Sequence, residues 1–354
     1  MESLLKTAVA LAAKVQSITT DLLARQIGRA DIIRATWLSL VSGKPAFFLG
    51  SPGVSKTGAI ESMARRIAGA VFYEVLIPLV DSADQLLVES TSIRKSVTAD
   101  GGEEIRTHDT LGRAAAAHLV FADELWKGQP QVINALLDLA KGDGVRHEGT
   151  MARTPLMAFL AASNELPELE SNLGAAWSRM TIRVKVDPLD RAGKMKLVDS
   201  RLVRDRAMGQ SASTSITLEE AAMLRSARVH VEIPDNIVTT VLDIYQELMD
   251  EKSVDFNWAW ADDRRFGRVF DVMQANALLD GRTVVGKQDL VVLEWLLWDT
   301  TEHIPVIKAK IAPYTKTPLT DAQETIDTLL SPSGTVEVVC KGDRGKGVPA
   351  IQQC

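Results

Sequence analysis

Gly50-Ser51-Pro52-Gly53-Val54-Ser55-Lys56-Thr57, continued by Gly58, is the stretch from which the fold of this chain can be read. Before it stands the apolar run Pro45-Ala46-Phe47-Phe48-Leu49, which reads as a short buried strand. After it an alanine-rich segment from Lys56 to Ala68 reads as a helix. A glycine-rich turn between strand and helix lets backbone N–H groups face inward toward phosphate oxygens, and the helix N-terminus adds its dipole. In this reading Lys56 reaches the β- and γ-phosphates of a nucleotide and Thr57 offers its hydroxyl to magnesium. The strict phosphate-loop pattern has glycine where this chain has Ser55.

Two further apolar runs extend the pattern. Leu119-Val120-Phe121-Ala122 ends in adjacent acids, Asp123 and Glu124, the first suited to the magnesium shell and the second to polarising an attacking water. The run from Leu156 to Ala162 is closed by Asn164, a polar residue placed to orient that water. The segment Gln131 to Ala140 carries Ile133, Leu136, Leu137 and Ala140 at helical spacing. Continuous apolar strands alternating with helices predict a parallel sheet covered on both faces, an α/β domain.

Beyond residue 188 helix signals take over. Thr217-Leu218-Glu219-Glu220 has capping-box spacing, and Pro234 stands as a first helical residue before Ile237, Val241, Ile244 and Leu248 on one face. A helix is expected from about Asp263 to a stop at Gly281, and a buried one from Lys287 to Trp298. Residues 1–43 read as helical, closed by Gly43. The expected organisation is an α/β nucleotide-binding domain over 1–188, a smaller all-α lid over 189–314, and a tail over 315–354 with one strand or hairpin near Thr335 to Val339.

Composition narrows the function classes. With 46% hydrophobic and 24% charged residues, the 354-residue chain is an ordinary globular protein of about two domains. A net charge of −6 with no Lys/Arg run argues against nucleic acid as the main partner. Cys340 and Cys354 could form only one bridge, far from any core, which points to a reducing cytoplasm. The patch Ala8 to Ala13, bracketed by Glu2, Lys6 and Lys14, is too short for a secretory leader, and no apolar window of about 20 residues would span a membrane. His108, His118, His147, His230 and His303 have no metal-ligand spacing, and His118 reads as a packing residue.

Taken together, the loop Gly50–Thr57, the segments Phe121–Asp138 and Ala161–Glu168, and the run Asp262–Arg282 resemble the MoxR branch of AAA+ ATPases, the RavA subgroup in particular, over roughly residues 20 to 300. MoxR-type loops often lack the glycine before the lysine, so Ser55 suits that resemblance. It implies ATP and Mg2+ as ligands, with Gly50, Ser51, Pro52, Gly53, Val54, Ser55, Lys56, Thr57 and Gly58 around the phosphates and Gln26-Ile27-Gly28 at the adenine. It implies Thr57 and Asp123 at the metal, Glu124 as the water activator and Asn164 as the sensor-one residue. Arg179 is similar to the arginine finger, with Arg183 as the alternative, and Arg264 to the sensor-two arginine, with Arg265 as the alternative. The segment from Glu89 to Arg113 is similar to a helix-two insert, and Gly142 to Arg153 to the hairpin before sensor one.

The expected activity is ATP hydrolysis coupled to remodelling of a protein partner; the resemblance implies a hexameric ring and a partner with a von Willebrand A domain that binds through its own metal site. The chain does not show the additional C-terminal domain through which RavA-type proteins continue, so recruitment through such a domain is not expected from these residues. Two competing classes are a nucleic-acid-linked motor, opposed by the acidic balance, and a nucleotide-binding scaffold, opposed by the presence of Glu124 and Asn164.

Overall fold

All four residues of the strand Ala46–Leu49 (β1) are buried, because successive side chains alternate between two faces and both faces of this sheet are covered. The computed structural model describes residues 2–96, 103–142, 144–147, 150–168, 173–206, 214–254 and 263–315. Its central sheet adds Phe72–Leu76 (β2), Leu119–Asp123 (β3), Ala158–Ser163 (β4) and Ile182–Lys185 (β5) in the order β5-β1-β4-β3-β2. Every neighbouring pair is parallel, with Leu49 opposite both Ser163 and Lys185 and Ala122 opposite Ala161. The carboxyl ends of β1, β4 and β3 therefore emerge side by side along one edge of the sheet.

The first 43 residues form two helices, Glu2–Arg25 (α1) and Ala30–Ser42 (α2), where the sequence pattern suggested one helical stretch. The break is made by Gly28, whose φ of 67° lies in the left-handed region that favours glycine. Helix α2 is buried almost all round, since it is held between the sheet and the C-terminal helices. Gly43 ends it at φ 70°, donating its N–H to Ser39 O at 2.9 Å. The phosphate-loop sequence leads into Lys56–Ala64 (α3), and Pro130–Ala140 (α4) follows β3. Two antiparallel hairpins, Val88–Ser96 with Glu103–Leu111 and Val145–His147 with Thr150–Ala152, lie where inserts are expected.

After β5 the chain is mainly helical: Arg191–Arg206 (α5), Leu218–Arg228 (α6), Asp235–Met249 (α7), Asp263–Leu279 (α8) and His303–Thr315 (α9). The expected capping box is present at α6, with Glu220 N–H donating to Thr217 Oγ1 at 3.2 Å and Thr217 N–H to Glu220 at 2.8 Å. Helix α7 buries Ile237, Val241, Ile244 and Leu248 as its periodicity predicts. Three local readings are corrected. Pro234, at ψ 144°, is the residue before the first turn of α7 and not within it. Lys287 to Trp298 is a 3-10 turn followed by the short helix Leu293–Leu296. A two-residue strand, Ile216–Thr217, pairs with Ile67–Ala68 in a region expected to be purely helical. The expected tail strand lies outside the described residues.

Met1–Tyr314 make a first compact unit, and a second begins at Thr315. Inside the first, charged pairs join the helices after β5 to the N-terminal layer: Lys14–Glu220 at 2.7 Å, Arg34–Asp280 at 2.7 Å and Lys44–Asp271 at 2.7 Å. Phe47, Trp126, Trp177 and Trp298 form a chain of edge-on and tilted rings 5.3–5.8 Å apart, carrying the core from β1 to the segment before α9. The molecule is thus an α/β parallel sheet followed by a helical lid. No helix among the described residues is long and apolar enough to cross a membrane.

Candidate functional site

The loop after β1 is held at both sides of its first residue. Gly50 N–H donates to Ser163 O at 3.1 Å at the end of β4, and Val186 N–H donates to Leu49 O at 2.7 Å. A Cβ on Gly50 would stand 2.6 Å from Val186 O, so only glycine fits there. Gly53 faces open space but has a φ of 83°, and glycine is needed for that conformation. Ser55 sits at φ 59°, where an L-residue costs about 1–2 kcal/mol relative to the right-handed region. The glycine of the strict motif is missing, and the backbone keeps the glycine conformation regardless.

Lys56 Nζ donates to Gly50 O at 2.6 Å and to Ser51 O at 3.3 Å, so its ammonium curls over the loop it follows. Burial pulls its pKa below the usual lysine range, and the nearby Asp123 and Glu124 oppose that shift. Burial also pushes the Asp123 carboxyl up; the Glu124 charge adds to this, while the Glu124 N–H, donated to Asp123 Oδ1 at 3.0 Å, works against it. Glu124 takes up φ 54°, a left-handed turn that swings its side chain off the strand. Its Oε2 lies 2.9 Å from Lys127 Nζ, and this contact raises the Lys127 pKa.

Because β4 runs between β1 and β3, Asn164 leaves the sheet between the phosphate-loop sequence and the acidic pair, about 5 Å from each neighbouring strand. The crevice outside the carboxyl ends of parallel strands is where open α/β sheets bind ligands. Thr57 and Asp123 supply oxygen donors of the kind Mg2+ takes, and the Thr57 hydroxyl makes no hydrogen bond with any described residue. No cluster of three or more His, Cys, Asp or Glu with metal-holding geometry exists among the described residues. On the other side of α3, Gln26 Nε2 donates to Ser62 Oγ at 2.8 Å, and buried Arg29 donates to Gly28 O at 2.8 Å and Asp187 O at 3.2 Å. Gln26, Ile27 and Gly28 are thereby held between α3 and the segment after β5. Leu189 there also lines a cleft of about 560 Å³ with Met195 and Val198.

The arginines separate sharply. Arg183 lies in β5 and not one helical turn from Arg179; it is wholly enclosed, donating to Asp299 Oδ1 at 2.5 Å and Trp177 O at 2.9 Å and stacking 4.0 Å from the Trp177 ring. Arg265 is 4% exposed and reaches the same Asp299 at 3.2 Å. Burial pulls Arg265 below the usual range, opposed by Asp299. Arg179 instead stays partly exposed on the surface, with its guanidinium 3.4 Å from Asp138 and 3.5 Å from Asn134. It precedes β5, so it stands at the amino end of the sheet, whereas the loop after β1 is at the carboxyl end. A four-residue strand separates the two ends by roughly 13 Å. Arg264 opens α8, but its side chain is outside the described residues; Arg268, one turn on, donates to Ser178 O at 3.2 Å, so this end of α8 adjoins the Arg179 segment.

Sequence reasoning missed Lys127 and Arg268, both of which look like solvated charges until their partners are seen. His118 is also more than packing, since its Nδ1 accepts the Val71 N–H at 3.0 Å.

The fold agrees with comparisons to known proteins. Residues 13–226 match the family model described as the MoxR domain in the MoxR-vWA-beta-propeller ternary systems, and residues 236–311 match an AAA lid domain. Two uncharacterized proteins of the archaeon Methanocaldococcus jannaschii are similar: one is 27% identical over 311 residues, covering 84% of this chain and 73% of its own, and the other 26% over 298 residues, covering 84% and 74%. The structural protein ORF618 of Acidianus two-tailed virus is 27% identical over 231 residues, 64% of this chain but 36% of that protein. A crystal structure of a protein from Cytophaga hutchinsonii, described as a "putative ATPase", superposes with a TM-score of 0.65 at 16% identity, over 87% of this chain and 97% of that one. At that identity the likeness speaks for the fold.

Proposed function

The chain belongs to the MoxR family of AAA+ ATPases, and on that premise we propose that it hydrolyses ATP in a ring of identical subunits to remodel a protein partner.

 The observation that carries this reading is the convergence of Lys56, Asp123 and Glu124 at adjoining strand ends, with Asn164 between them. Phosphoryl transfer needs placement and charge neutralisation more than covalent chemistry, and this set supplies both. The backbone N–H groups of the loop from Gly53 to Gly58 and the Lys56 ammonium bind the phosphates, and Gln26, Ile27 and Gly28 face the adenine. Thr57 and Asp123 hold Mg2+, which when bound offsets phosphate charge. Glu124 polarises the attacking water and Asn164 orients it.

Arg179 stands at the amino end of the sheet, away from the loop after β1 of its own subunit, which supports a neighbour's nucleotide as its target. The start of α8, with Arg264, adjoins the same surface and acts with it. Completing every site in this way fits a closed ring, for which a hexamer is the expected form. The von Willebrand A partner is suggested by the description of the matching family, whose systems pair a MoxR domain with such a protein. ATP turnover by the purified chain, with Lys56→Ala and Glu124→Gln as controls, tests the reading. Tight nucleotide binding without turnover in the wild-type chain would leave a scaffold in its place.

A further inference from the structure

We propose that Lys127 is a positioning residue for Glu124: its ammonium restrains the carboxylate, and opening that ion pair limits the chemical step. The proposal rests on the ATPase reading above and concerns a residue to which that reading gives no role.

The pairing is built into the backbone. Glu124 begins the 3-10 turn Leu125–Lys127, and Lys127 N–H donates to Glu124 O at 3.0 Å. With three residues per turn, positions three apart lie over one another, so the side chains of residues 124 and 127 are brought together by the turn itself. The resulting contact between Lys127 Nζ and Glu124 Oε2 is 2.9 Å.

The turn has little freedom to relax. Leu125 is fully buried, and Trp126 packs 5.6 Å from the Phe47 ring and 5.8 Å from Trp177. A Cβ on Gly128, which closes the turn, would fall 2.2 Å from Ile77 Cγ2. Only the two side chains can move. The Lys127 side chain is 41% exposed, and Glu165, next to Asn164, is a second carboxylate whose charge it feels. The ammonium therefore has somewhere to go when it leaves Glu124.

A carboxylate engaged by an ammonium must break that contact before it can engage the attacking water. An ion pair of this exposure favours its closed form by roughly two- to fivefold. Removing the ammonium should raise the rate of the chemical step by about that factor without touching phosphate binding.

The test is single-turnover ATP hydrolysis and ATP affinity for the full chain, with Lys127→Met, Lys127→Gln, Lys127→Arg, Glu124→Gln and the double variant Lys127→Met/Glu124→Gln. The expected result is a two- to fivefold faster chemical step in the Met and Gln variants at unchanged affinity and melting temperature. Lys127→Arg should restore the wild-type rate, and the double variant should be as inactive as Glu124→Gln. A slower or unchanged step in both Met and Gln variants, or a change confined to affinity, overturns the proposal alone. A wild-type chain that binds ATP and never hydrolyses it overturns the ATPase reading and this proposal together.

Discussion

Arg183 and Asp299, 116 positions apart, meet at 2.5 Å with 0% and 3% of their side chains exposed. Asp299 is the carboxylate that also receives Arg265 at 3.2 Å and the Trp177 indole N–H at 2.8 Å. One aspartate thus faces two buried guanidinium groups, from β5 and from α8, and joins the sheet to the lid.

Removing that carboxylate leaves both arginines buried without a counter-charge. Asp299→Ala is expected to cost at least about 3–5 kcal/mol, the cost of breaking a buried pair by deleting one partner. Urea unfolding followed by tryptophan fluorescence measures it, since Trp177 and Trp298 line the cluster. A change below about 1 kcal/mol would mean that the cluster does not hold the lid in place.

Lys56→Ala is expected to abolish nucleotide binding, whereas Glu124→Gln should keep binding and stop turnover, because the first loses a phosphate contact and the second only the water activator. Titration with a fluorescent nucleotide separates the two roles. Tight binding by the alanine variant would place the phosphates elsewhere.

The two unusual positions of the loop should respond in opposite ways. Gly50→Ala forces a Cβ to 2.6 Å from Val186 O and is expected to displace the loop, at a cost of about 1–3 kcal/mol and with loss of ATP affinity. Ser55→Gly relieves the left-handed strain, set against a more flexible unfolded chain, and should leave stability within about 1 kcal/mol of wild type. Thermal melts and ATP titrations of both variants check this; equal affinities would show that Gly50 is not constrained by its contact.

Arg179→Ala should cut hydrolysis roughly a thousandfold while leaving ATP affinity nearly unchanged, because a finger meets charge that develops in the transition state. Mixing inactive Arg179→Ala subunits with inactive Glu124→Gln subunits should restore part of the activity, since some interfaces then combine an intact Glu124 with an intact Arg179. Co-assembled mixtures that stay inactive would place Arg179 within its own subunit's chemistry or make it structural.

Much of the architecture is legible in the sequence because its signals are local. The apolar runs ending at Leu49, Ala122 and Ala162 can be stable only as strands covered on both faces, and the glycines between Leu49 and Lys56 permit only a tight turn into a helix. The helical face of α7 and the cap at Thr217 follow from spacing alone. What the tertiary structure decided are relations between distant residues. Nothing in the local pattern says that β4 runs between β1 and β3 and so brings Asn164 between Lys56 and Glu124. Nor does it separate Arg179 from Arg183, four positions apart: whether an arginine is buried depends on a carboxylate to meet it, and Asp299 comes from the far end of the chain. The same holds for Lys127, a surface charge by composition, which becomes a partner of Glu124 only because a buried tryptophan fixes the turn between them. Strands and turns are selected by what neighbouring residues can bury and bend, whereas the fate of a charge is settled by whatever the folded chain places beside it.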